Sequence, residues 1–120
     1  MLAAVPLSTH IIGTTAVITL TGRLTVTENR GVIRDAVATL VKNGTRAVIL
    51  DLSGVPYLDS TRLGELIAAH VTLSRTGSHL RLAATPTRVV ELLTLAGLGE
   101  IFERFDTVEA AISSAEAAQS

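Results

Sequence analysis

The 120-residue chain predicts an α/β sandwich with a mostly parallel central sheet, an antiparallel N-terminal strand and about four packing helices. Three observations carry that expectation. Short β-branched runs alternate with runs of helical period. Glycines fall at the ends of those runs. Once past the first hairpin, each helix with its turns is long enough for a right-handed crossover between parallel strands.

Leu7–Ile12 and Ala16–Thr21 are rich in apolar, threonine and β-branched residues and flank Gly13-Thr14, which reads as a hairpin. From Thr25 the period changes. Ile33, Val37, Leu40 and Val41 recur at helical spacing, and Asn43-Gly44 closes that helix. The run "AVILDL", Ala47–Leu52, has no polar alternation until Asp51, as in a central strand covered on at least one face. A second helix is expected from Ser60 to Arg75, with Leu63, Leu66, Ile67, His70 and Leu73 on its apolar face and Gly77 as its stop. His79–Ala83 is the next strand. Pro86 marks a helix entry, Val89, Leu92, Leu93 and Ala96 form the apolar stripe that follows, and Gly97 ends it. Ile101–Phe105 reads as a short, charged edge strand, and Thr107 opens a last helix with Val108, Ala111, Ile112 and Ala115 inward. The alanine-rich tail from Ser113 is expected to fray. No repeat or linker divides the chain, so residues 1–120 read as one domain.

The composition excludes several functions. With 10 Lys plus Arg against 11 Asp plus Glu, no strong field draws the chain onto nucleic acid or an anionic bilayer. It has no cysteine, and His10, His70 and His79 are too scattered to suggest a metal cluster. Tyr57, Phe102 and Phe105 are its only aromatics, too few for stacking on bases. No segment approaches the ~20 apolar residues that span a bilayer, so a soluble, cytoplasmic protein without membrane insertion is expected.

Chemistry concentrates in "DLSGVPYLDSTRLGELIAAH", Asp51 to His70. Asp59 is placed to cap the second helix, and Ser60 then becomes its first residue, in the positive field of the helix end. A phosphate there would add roughly −1.5 to −2 charges, so one position can serve as cap and as charge switch. Simple capping is the ordinary role of Asp-Ser-Thr at a helix start. Asp51 ends a strand, as the phosphoacceptor of a response-regulator receiver does. A receiver also needs an acidic pair on its first strand and a lysine near its last; Ala16–Thr21 holds no acid, and the only lysine is Lys42. Asp51 is therefore expected to bond the turn amides of Ser53 and Gly54. For a serine nucleophile the nearest base in sequence, His70, lies on the inward stripe, and the pair Asp51 and Asp59 has no substrate cleft suggested around it. "AGLGE" follows a helix, not a strand, and lacks the geometry of a phosphate loop. The expectation is a binding protein, not an enzyme, with no cofactor.

The stretch "DLSGVPYLDSTRLGEL" resembles the signature of the STAS domain, named for sulfate transporters and anti-sigma factor antagonists. Its usual form is close to Asp-Leu-Ser-x-Val-x-Phe-(Ile/Leu/Met)-Asp-Ser-(Ser/Thr/Ala)-Gly-Leu-Gly-x-Leu. The resemblance extends over "VITLTGRLTV" and "LRLAATPTRVVELLTLAGLGEIFERFDTVEAAI", nearly the whole chain. It implies that Ser60 is a phosphoacceptor, with Thr61 the alternative, and that Asp59 orders its turn. It also implies partner switching: the unphosphorylated protein binds a serine-kinase anti-sigma factor and frees a sigma factor, phosphorylation releases it, and a phosphatase resets it. ATP and magnesium would belong to the kinase.

Arg62 departs from the pattern by standing where the family usually has glycine. It could obstruct a kinase or pair with the phosphate, and its plain reading is a solvated arginine in a first helical turn. Gly64, the second family glycine, suggests close approach of another backbone, internal or a partner's. Glu65 is expected on the outer face, within reach of a partner. The binding surface would comprise the turn Pro56 to Ser60 with Tyr57, the exposed face of the second helix, and the loop after Gly22. A second expectation is a constitutive STAS scaffold or adaptor in a stress-signalling or lipid-transport complex, with Ser60 only a cap.

Overall fold

A computed structural model of the chain describes residues 7–21, 31–58 and 60–119. In order these form β1 (Leu7–Ile12), β2 (Thr15–Thr21), α1 (Val32–Lys42), β3 (Ala47–Gly54), α2 (Ser60–Arg75), β4 (His79–Ala83), α3 (Thr87–Leu95), β5 (Glu103–Phe105) and α4 (Val108–Gln119). β1 and β2 make the expected antiparallel hairpin, and β2 to β5 run parallel. The sheet order is the chain order, β1-β2-β3-β4-β5. Residues 22–30, which hold the change of period expected at Thr25 and the loop after Gly22, lie outside the described residues.

Residues alternate between two buried faces, which explains why β3 shows no polar alternation. On one face Ile18, Leu20, Val48, Leu50, Leu52, Leu80 and Leu82 meet Ile33, Val37 and Leu40 of α1, Leu66, Ala69 and Leu73 of α2, and Val89 and Leu93 of α3. On the other, Val17, Ile49 and Ala83 lie beneath Ala111 of α4, with Phe105, Val108 and Ile112 at the margin. Three helices cover the first face and one covers the second.

The boundaries of α2 and β4 match the expectation, because their signals are local. Gly77 closes α2 at φ 78°, which lets the Ser78 N–H reach back to the Leu73 carbonyl at 2.8 Å. β2 begins one residue earlier than expected, at Thr15, β3 runs two residues further, to Gly54, and three other elements differ. α3 ends at Leu95, and Ala96, expected on its apolar stripe, is exposed as the cap residue because the Leu98 N–H folds back to the Leu93 carbonyl at 2.8 Å. The edge strand β5 holds only Glu103–Phe105, paired with Arg81, Leu82 and Ala83; Ile101 lies outside it and Phe102 turns into the larger core. The chain is helical past Ser113, from where fraying is expected. α4 continues to Gln119 because Ala111 and Ala115 are fully buried against the sheet. Thr107 starts that helix as expected, its Oγ1 accepting from the Ala110 N–H at 3.0 Å.

Candidate functional site

The site is built where β3 runs out into α2. Asp51 Oδ1 accepts the Ser53 N–H at 3.0 Å, the expected turn bond. Gly54 then passes so close to β2 that a Cβ would stand 3.1 Å from Thr21 Cγ2 and 3.3 Å from the Leu20 carbonyl oxygen. That crowding coincides with a register shift between the two strands. The Val55 N–H bonds the Leu52 carbonyl at 3.0 Å, and Val55 and Leu58 are buried, pinning the turn at two points. Pro56 and Tyr57 are left on the surface, and Ser60 is exposed as the first residue of α2. Thr61 follows it in the helix. Asp59, with its expected cap, lies outside the described residues.

Two expectations for α2 are corrected. Arg62 is not a solvated side chain: it is fully buried, with Nη1 2.5 Å from Glu65 Oε2. The guanidinium is withdrawn from the surface on which Ser60 stands. Glu65 is not a free outer-face carboxylate either, its side chain being only 14% exposed. The same Oε2 also accepts the N–H of Gly31 at 2.9 Å, the residue that precedes α1 and holds a left-handed φ of 78°. A carboxylate from α2 thus bonds a backbone amide at the positive end of α1, where a negative charge is favourable. The pair with Arg62 and the bond to Gly31 draw both side chains into the contact between the two helices.

Gly64 is exposed, and a Cβ built on it would meet nothing within 4 Å among the described residues, none of which gives the close approach expected of it. Its effect is on the outer surface. Ser60, Gly64 and Ala68 recur at four-residue spacing as a flat, small-residue row, beside a partly exposed Val71. On the other side of the turn, a groove of about 200 Å³ opens towards α3, lined by Pro56, Tyr57, Leu58, Val89, Leu92 and Leu95. Leu95 is 87% exposed at its end. Sequence reasoning overlooked this groove, although Leu95 is a large apolar residue out of phase with the α3 stripe.

The arrangement presents an exposed hydroxyl at the positive end of a helix, framed by apolar surface, and tolerates an anion well. His70 takes the packing role expected of it, edge-on to Phe102 with ring centroids 5.6 Å apart and planes at 71°. It sits ten residues beyond Ser60, about 15 Å along the helix, and offers that serine no base. Among the described residues there is no group of three or more metal-ligating side chains, and no helix is long and apolar enough to cross a membrane.

The family model for the STAS domain matches residues 6–111. Among solved structures, the chain is similar to the anti-sigma factor antagonist SpoIIAA in its unphosphorylated form, at 21% identity over 92% of this chain and 96% of that one, with a TM-score of 0.81. It is similar to the Bacillus cell fate determinant SpoIIAA in the phosphorylated form, at 20% identity over 90% and 97% of the two chains, with a TM-score of 0.67. A third likeness is to the murine Slc26a9 anion transporter, at 19% identity and a TM-score of 0.76; it covers 90% of this chain but 18% of the transporter. At these identities the structural likenesses establish the fold.

Proposed function

The chain belongs to the STAS domain family, and from that premise we propose that it is an anti-sigma factor antagonist working by phosphorylation-controlled partner switching. The observation that carries the proposal is the position of Ser60, exposed at the first residue of α2, on a turn fixed by Val55 and Leu58 and at the phosphoacceptor place of the motif. The unphosphorylated protein binds a serine-kinase anti-sigma factor, through Pro56 and Tyr57, the row Ser60, Gly64 and Ala68, and the groove beside α3. The kinase transfers the terminal phosphoryl group of ATP to Ser60 Oγ, giving ADP and releasing the hydroxyl proton. A phosphatase hydrolyses the ester and resets the switch. The antagonist itself supplies no catalytic group.

The physical basis is desolvated charge. Two like charges ~4 Å apart oppose each other by ~1 kcal/mol in water and ~4 kcal/mol at an effective dielectric near 20. That range corresponds to roughly fivefold to a thousandfold in affinity. Burial of Arg62 supports the reading, since the cation that could have blocked a kinase or neutralised the phosphate is engaged inside the protein.

Affinity capture from a native lysate with Ser60→Ala and Ser60→Asp baits, followed by mass spectrometry, tests it. A serine kinase retained by the Ala bait and lost from the Asp bait is expected; retention of the same proteins by both would refute the switch. The second reading, a constitutive scaffold, draws on Arg62, which stands where the family has glycine and is locked to Glu65, and on the likeness to part of a transporter. Its mark is a stable complex indifferent to both substitutions.

A further inference from the structure

At the end of the sheet remote from Ser60, β2, β3 and β4 begin side by side, with Thr15, Ala47 and His79 in register. The Arg46 N–H bonds the Thr14 carbonyl at 2.8 Å and the His79 N–H bonds the Arg46 carbonyl at 3.3 Å, so three strand starts form one rigid corner. Among the described residues, the last turns of α4 line it with Ala115 and Ala118. Together with Ala47 and Gly77, these small residues line a concavity of about 390 Å³. Arg46, His79 and Arg81 all line it.

Arg81 is the unusual member. It is 4% exposed, two residues along β4 from His79 and on the same face of the sheet. Its Nε donates to Ser114 Oγ at 3.3 Å and lies 3.5 Å from Oε1 of Glu103, a carboxylate whose side chain is 62% exposed. Its Nη1 is buried with no hydrogen-bond partner among the described residues. A guanidinium carries five N–H donors in a planar fork, and burying one is costly unless its charge is paired and its donors are used. A long contact to a largely solvated carboxylate compensates poorly. Leu80 and Leu82, its neighbours on the strand, face the larger core, so packing does not require an arginine here.

We propose that this concavity is a binding site for a small organic anion, whose phosphate or carboxylate group is held by the Arg81 and Arg46 guanidiniums with the His79 imidazole as a further donor. Its volume falls in the range of small-molecule sites, about 300–1,000 Å³. Cationic groups around a concave wall concentrate potential for an anion, and an arginine fork matches the planar or tetrahedral oxygens of those two groups. The two alanines of α4 supply the room. The site is the length of α2 away from Ser60, about 24 Å for its 16 residues, so it lies apart from the proposed phosphoserine surface.

An amide-resolved NMR titration of the full chain with pyrophosphate in one arm and citrate in the other tests this, and the tighter arm identifies the group recognised. Expected are saturable shifts at Arg46, His79 and Arg81 with at least one anion at millimolar concentration. Arg46→Ala and Ala118→Glu should each weaken binding by roughly tenfold or more, through loss of a charge-assisted contact and through repulsion. Ala118 is exposed, so its variant keeps the fold even if Arg81→Gln does not. Absence of saturable shifts in both arms, or equal affinity in the wild type and Ala118→Glu, would overturn the proposal.

Discussion

Arg62 and Glu65 show how one substitution within a motif reorganises its neighbours. Neither charge would be stable alone where it sits, since removing one member of a buried pair leaves the other uncompensated, at a cost of about 3–5 kcal/mol. Glu65 retains 14% exposure and also bonds the Gly31 N–H, so the lower end applies. Arg62→Met and Glu65→Leu are each expected to lose about 3 kcal/mol, and the double variant less than the sum, because it leaves no orphaned charge. Urea unfolding of the four proteins measures this; strict additivity would mean the two side chains are not coupled. The sequence could not reveal the arrangement. Helical spacing places Glu65 off the stripe of Leu63, Leu66 and Ile67, which is geometrically right, but the amide it bonds is 34 residues earlier in the chain. A long-range polar contact leaves no periodic trace, whereas the exposure of Ser60 at the start of α2 follows from local signals and was legible.

Among the elements, α2 is legible to its last residue because its entry, apolar period and glycine stop lie within its own stretch of chain, whereas the end of α4 is not. Helical period places Ala115 inward, but the small, polar residues from Ser113 carry no local signal that the helix holds, and whether it does depends on the sheet beneath. Ala115 is fully buried and Ser114 accepts from Arg81, so these turns contribute to the fold. Ending the chain after Ser113 removes both contacts. A hydrogen bond to a charged group contributes about 1.5–3 kcal/mol, which places the expected loss near 2 kcal/mol and the fall in Tm at roughly 5–15 °C. Calorimetry on the truncated chain decides it: an unchanged Tm would return the tail to the frayed state. β5 is shorter than its sequence suggests for a related reason. The apolar character of Ile101 and Phe102 suggested a strand, but Phe102 is spent on the larger core, and β5 pairs only with the last three residues of β4.

For the molecule as a whole, the uneven covering of the sheet sets where it opens. β3 lies at the centre, paired on both sides and buried on both faces, while α4 closes one face alone over Val17, Ile49 and Ala83. Local openings cost less than global unfolding where few apolar contacts must break. The amides of Val48, Ile49 and Leu50 should therefore exchange slowest, with the denaturant dependence of global unfolding, and those of α4 and β5 faster, with a weaker one. Native-state hydrogen exchange distinguishes the classes; equal protection of α4 and β3 would make the thin face part of the global unit. The position of α2 follows from the same division. Its buried residues Leu66, Ala69 and Leu73 belong to the larger core, so its outer row rests on the stable side of the sheet. A phosphate on Ser60 would then alter the charge of a rigid surface and leave the helix beneath it folded, so Ser60→Asp should show the same slow-exchanging β3 amides as the wild type. Loss of that protection would mean that charge at this position acts by unfolding the helix and not by changing what its surface can bind.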